Sequence, residues 1–134
     1  MKKIRKYLLV ALVSVFMLML SACGSSFEYD KDAAIKSAQE LIEITNTKDY
    51  QALVDILPEN LRNQISADKL RDAWDSLLSS SGAFIEYETA TTTGVTQNSV
   101  NYIVVVVPCK YENNTRTFTI TYTTDLKIAA LEMK

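Results

Sequence analysis

A chain of 134 residues with 48% hydrophobic and 22% charged residues is long enough for one domain with a single hydrophobic core, so neither a disulfide framework nor a metal staple is needed to hold it. The formal charge of −2 conceals an asymmetry, because four of the fourteen bases (Lys2, Lys3, Arg5 and Lys6) open the chain and the remaining ten face sixteen acids. An acidic body without a basic stripe repels phosphate backbones, which excludes nucleic acid as a partner. The absence of histidine excludes Ser-His and Cys-His nucleophile pairs and removes the commonest neutral-pH base and metal ligand.

Residues 1–22 read as a secretory signal peptide. A basic start precedes an apolar run from Leu8 to Leu20 interrupted only by Ser14, and small residues follow at the cleavage region. Such a run falls short of the roughly 20 apolar residues that cross a bilayer. Leu20-Ser21-Ala22-Cys23 resembles the lipobox of bacterial lipoproteins. The resemblance implies that the Cys23 thiol takes a diacylglyceryl group, of the kind that carries palmitate, before cleavage. Two acyl chains suffice for stable attachment, at about 0.8 kcal/mol per buried methylene. Residues 23–29 read as the lipidated cysteine and a short tether, begun by Gly24-Ser25-Ser26 and reaching at most about 25 Å. The expected location is the extracytoplasmic face of the cell membrane, lipid-anchored, with the membrane itself as a partner through Cys23.

Residues 30–134 read as one domain. From Asp30, the positions Ile35, Ala38, Leu41, Ile42 and Thr45 recur three and four apart, which predicts an amphipathic helix. Asn46 to Asp49 breaks it and caps a shorter helix carrying Tyr50, Leu53, Val54 and Leu57, which Pro58 ends. A turn through Leu61 to Ile65 leads to Ser66, a good cap residue, and a third helix with Leu70, Trp74, Leu77 and Leu78 on one side.

Beyond Gly82 the period changes to two. Four strands are predicted: Phe84 to Thr93, Val100 to Tyr111, Thr115 to Thr123 and Leu126 to Met133. The second is apolar on both faces through Ile103 to Val107 and reads as central. The third alternates Phe118, Ile120 and Tyr122 with four threonines, so one of its faces is polar. Asn113-Asn114 suits a tight hairpin, because asparagine tolerates positive φ. The predicted fold class is therefore α+β: three N-terminal helices on a curved, cone-like four-stranded antiparallel sheet, preceded by the signal-peptide helix.

Tyr50-Gln51-Ala52-Leu53, Leu70-Arg71-Asp72-Ala73-Trp74, Ser81-Gly82-Ala83-Phe84, the run Tyr102 to Pro108 and the terminal Asp125 to Leu131 together resemble the domain of unknown function family 3887. That resemblance implies a nuclear-transport-factor-two-like, cystatin-like cone fold found in secreted lipoproteins. It bears on fold rather than activity, because the matching residues are core and turn positions.

No catalytic residue, cofactor or metal site is expected. Only Cys109 remains once Cys23 is lipidated, and it reads as a small core hydrophobe. Glu86 and Glu88 share one strand face opposite Ile85, Tyr87 and Thr89, and Asp68, Asp72 and Asp75 mark an exposed helix face. Three glycines leave no material for a phosphate loop. The aromatic residues Tyr50, Trp74, Phe84, Tyr87, Tyr102, Phe118 and Tyr122 fall where helices and sheet should face each other, and are the candidate lining of a pocket for a small apolar ligand. The expected function is a non-catalytic module binding such a ligand or an envelope protein, with a homodimer through the sheet as a further partner. The alternative is a minimal cone-fold isomerase or dehydratase using a buried carboxylate and a tyrosine, recognisable by a carboxyl within hydrogen-bond reach of a phenol inside a cavity.

Overall fold

The computed structural model describes residues 27–134; the expected signal peptide, with its helix, and Cys23 lie outside them. Helix α1 spans Lys31–Asn46, and the Asp30 carboxylate caps it by accepting from the Ala33 N–H at 3.0 Å. This satisfies one of the four amides that every helix start leaves without a partner. Its buried face carries Ala34, Ala38, Leu41, Ile42 and Thr45. Thr45 resolves its buried hydroxyl by donating to the Leu41 carbonyl at 2.9 Å. Phe27 and Tyr29, in the stretch expected to be tether, pack against the core, and the Tyr29 hydroxyl donates to Thr92 Oγ1 at 3.2 Å.

Helix α2, Tyr50–Asp55, is capped by Asp49, and Pro58 starts helix α3, Glu59–Arg62, where the sequence suggested only a turn. One turn of helix buries no residue of its own, so no apolar periodicity announced it. Helix α4, Ala67–Ser81, is capped by the Ser66 hydroxyl and buries Leu70, Trp74, Leu78 and Ser81. It ends at Gly82, whose φ of 78° suits a residue without Cβ; a Cβ there would also lie 3.0 Å from Glu112 Cβ. Four helices, not three, are therefore present among the described residues.

The sheet has five strands rather than four. β1 (Phe84–Tyr87) and β2 (Thr91–Gln97) both pair with one edge of β3 (Val100–Tyr111), followed by β4 (Thr115–Thr123) and β5 (Ile128–Met133), all antiparallel. The expected first strand is split at Glu88–Ala90 and runs on to Gln97. Asn98 and Ser99, both at positive φ (49° and 64°), form a two-residue turn whose twist matches the flanking strands. A register slip between Phe84 and Glu86 places Ile85 in a bulge, half exposed at 51%, so the expected packed face Ile85, Tyr87, Thr89 is broken.

Cross-strand partners share a face, which fixes the layers. Ile103, Val105 and Val107 oppose Tyr122, Ile120 and Phe118, and all six face the helices, joined by Cys109 and Tyr111. The other face sets Tyr102, Val104, Val106 and Pro108 of β3 against Thr123, Thr121, Thr119 and Thr117 of β4. The core lies between the first face and the helices, from Ala34 to Met133. Among the described residues, 27–134 therefore carry a continuous hydrophobic core of their own. Phe118, fully buried, meets Trp74 edge to face at 6.2 Å in its centre.

Candidate functional site

The seven aromatic residues divide by position. Tyr50 and Phe118 are core, with the Tyr50 hydroxyl donating to Asp75 Oδ1 at 3.1 Å; Trp74 packs on Phe118. Phe84 stacks between Tyr87 and Tyr111, and the Tyr87 hydroxyl donates to the Gln39 carbonyl at 3.1 Å. Apart from Phe84, these side chains fill the interior instead of lining a concavity. Tyr102 stands on the threonine face, opposite Thr123, away from the helices. Tyr122 alone among the seven lines a concavity of about 580 Å³ formed by described residues. Phe84, with Tyr111, Asn46, Lys48 and Gly82, borders a smaller one, of about 390 Å³, where the Tyr111 hydroxyl donates to Asn46.

The larger cleft, about 580 Å³, is built from three segments. Ser37, Glu40, Leu41 and Ile44 come from α1, at the three-and-four spacing that keeps them on one helix face. Ile56, Leu57, Pro58 and Glu59 come from the link between α2 and α3, and Leu126, Lys127 and Ile128 from the turn between β4 and β5. The floor is apolar and buried, with Leu41, Leu57 and Ile128 each under a tenth exposed. Glu40, Glu59, Lys127 and Ile56 are exposed and form the mouth. The volume falls in the range of small-molecule sites, roughly 300–1,000 Å³.

Two backbone features shape this cleft. In the β4–β5 turn the Thr123 N–H donates to the Lys127 carbonyl at 2.8 Å, and Leu126 is held at a φ of 58°. A side chain pays on the order of 1–2 kcal/mol for the left-handed region, and here it places Leu126 on the wall. Beside it, Tyr122 pairs with Ile128 while Thr121 pairs with Ala130, so Ala129 is an extra residue that bends β5 next to the tyrosine.

The Tyr122 hydroxyl is the polar group that distinguishes the site. The residue is 2% exposed, and its hydroxyl is buried with no hydrogen-bond partner among the described residues. Burying a hydroxyl unpartnered costs about 1–3 kcal/mol. Burial first, and then the nearby Glu40 carboxylate, raise its pKa far above the ordinary phenol value. The group stays neutral and keeps both its proton and its lone pairs for a partner.

Thr121 Oγ1, on the opposite face of β4, is likewise buried without a partner among the described residues; the other candidate polar groups are occupied, buried or exposed. Arg116, on the helix-facing side of β4, donates from Nε to Ser81 Oγ at 2.7 Å and from its terminal nitrogen to the Leu77 carbonyl at 3.2 Å. A cation at the end of α4 suits the negative end of that helix. Cys109 is fully buried, and burial, helped by Glu88, pushes its thiol up to about 12, which makes it a poor nucleophile. Glu86 and Glu88 are exposed, Asp68 pairs with Arg71 at 2.8 Å, and Asp75 accepts from Tyr50. Among the described residues no three Cys, Asp or Glu side chains cluster as a metal site, and no helix is long and apolar enough to cross a membrane.

The sequence reading missed every cleft residue except Tyr122. The lining is aliphatic and comes from turns and helix ends that no periodicity links. The available signal was the run Ile56-Leu57-Pro58, apolar residues placed where a helix must stop.

Comparison with known proteins agrees with this architecture. The family model described as "Protein of unknown function (DUF3887)" matches residues 38–131. An NMR structure of a protein from Ruminococcus gnavus ATCC 29149 superposes with a TM-score of 0.73, covering 82% of this chain and 96% of that one at 24% identity. That likeness is one of fold. No curated protein matches the chain.

Proposed function

Starting from a chain that belongs to the DUF3887 family, we propose that this protein is a non-catalytic binding module for a small, largely apolar ligand, held at the outer face of the cell membrane by a diacylglyceryl group on Cys23. The observation that carries the binding reading is the unpartnered Tyr122 hydroxyl beside a cleft with an aliphatic floor. A hydroxyl buried at a cost is stabilised once an incoming polar atom pairs with it, and the aliphatic walls supply burial for the rest of the molecule, at about 25 cal/mol per Å². The lipobox and the short tether support the location, because a body anchored within a few residues samples the membrane face.

Catalysis by a carboxylate and a phenol is the weaker reading. The tyrosine–carboxylate hydrogen bond that joins α2 to α4, between Tyr50 and Asp75, is remote from the cleft, where Glu40 is exposed and makes no hydrogen bond to Tyr122.

Native mass spectrometry of residues 24–134 purified from the protein's own host tests the binding reading. A co-purified small molecule, lost in Tyr122→Phe, is expected; an empty body in both proteins overturns it. The anchor is tested separately by palmitate labelling, expected in the natural chain and absent in Cys23→Ala.

A further inference from the structure

We propose, resting on the reading of the cleft as a ligand site, that its occupant is an amphiphile headed by a protonated amine, which donates to the Tyr122 hydroxyl oxygen and to the Glu40 carboxylate while its apolar body lies on Leu41, Ile44 and Leu57.

Tyr122, whose hydroxyl is buried without a partner among the described residues, lines the cleft together with Glu40, an acidic side chain from α1 close enough to act on that hydroxyl electrostatically. A carboxylate only accepts hydrogen bonds, and a neutral phenol retains lone pairs that accept as well. An ammonium group has three donors, so it can serve both oxygens at once, and it sets a charge of opposite sign against Glu40. A carboxylate or phosphate head would meet the Glu40 charge at short range, with Glu59 on the same lining adding to the repulsion. An alcohol can donate to Glu40 while accepting from the Tyr122 O–H, but it brings no charge to set against the carboxylate.

The charge balance points the same way. The lining carries Glu40 and Glu59 against Lys127, and beyond the first six residues the chain has ten bases against sixteen acids. The field that draws a ligand to the mouth therefore favours cations. The aliphatic floor selects against hydrophilic cations, because a polyamine or an inorganic ion would leave Leu41, Leu57 and Ile128 uncovered.

The test compares octylamine, octanoate and octanol, below their aggregation limits at neutral pH, by amide-shift NMR titration of residues 24–134. Octylamine is expected to shift the amides of Leu41, Ile44, Leu57 and Lys127 to saturation, with an affinity about tenfold above that of either other ligand. Glu40→Gln, an exposed change whose fold the same spectra report, should weaken octylamine about tenfold and leave octanol within about twofold. Octanoate or octanol binding the cleft as tightly as octylamine, or an octylamine preference that survives Glu40→Gln, overturns the amine assignment and leaves the cleft a ligand site. If none of the three perturbs the cleft amides, the binding reading falls with it.

Discussion

Replacing Tyr122 by phenylalanine removes one oxygen from the interior, and the structure sets the sign of the effect. Its hydroxyl is buried without a partner among the described residues, so the change recovers a desolvation penalty of about 1–3 kcal/mol. An oxygen-sized void of roughly 15 Å³, at about 24 cal/mol per Å³, takes back about 0.4 kcal/mol. The net expectation is a gain of about 1 kcal/mol, equivalent to a rise in Tm of roughly 4 °C or more for a domain near 100 residues. The same substitution at Tyr50 or Tyr87 breaks the bond to Asp75 or to the Gln39 carbonyl, and each should lose about 1 kcal/mol. Scanning calorimetry and urea unfolding of residues 24–134 compare the three directly, and calorimetry with a bound ligand should reverse the Tyr122 result. A Tyr122→Phe protein destabilised to the same degree as Tyr50→Phe would refute the reasoning, since it would mean that the hydroxyl is satisfied in the free protein.

Phe118→Ala empties the centre of the core against Trp74 and should cost about 3–5 kcal/mol in urea unfolding. Ser99→Gly relieves a residue held at a φ of 64° in the β2–β3 turn and should raise stability by about 0.5–1 kcal/mol, read as a higher urea midpoint at constant slope. The buried Tyr50 and half-buried Tyr87 phenols, raised from 10.0 to about 12, and the Cys109 thiol, raised from 9.0 to about 12, release their protons from the unfolded chain first. Their contribution is thus complete below pH 9 and disappears as pH climbs toward 12, which stability curves between pH 8 and 12 would show. At pH 8 a thiol reagent should label Cys109 only as fast as the body opens, and labelling faster than amide exchange of β3 would contradict its burial.

Much of this architecture is written in local signals. Asp30, Asp49 and Ser66 are read correctly as helix starts because a short polar side chain before an apolar stripe has a specific job, capping free amides, and each does it. A β3–β4 hairpin is present as expected, but its turn is not the one read from Asn113-Asn114: the Tyr111 N–H donates to the Asn114 carbonyl, so Glu112 and Asn113 form the loop, and neither asparagine has a positive φ. The inward set Phe118, Ile120, Tyr122 follows from the threonines between them. Tyr102 was misplaced because β3 is apolar on both faces, so alternation there carries no direction. Its register against Thr123 decides the matter, and the odd-numbered residues from Ile103 to Tyr111 are the ones that face the helices. The break in the first strand was hidden because no glycine or proline marks Glu88–Ala90, and the bulge at Ile85 because it looks, in sequence, like one more β-branched residue. The cleft is legible only through Tyr122, since whether a buried hydroxyl finds a partner depends on packing between segments that are remote in the chain.

The three segments that wall this cleft lie at residues 37–44, 56–59 and 122–128, so they meet only after long stretches of intervening chain have closed. A molecule lodged there fastens the C-terminal hairpin to the first helix, and the energy of that contact counts toward whole-body cooperativity rather than toward one element. Slower deuterium uptake should therefore appear first along β5, the strand at the open margin of the sheet, whose amides otherwise escape protection by fraying from one side.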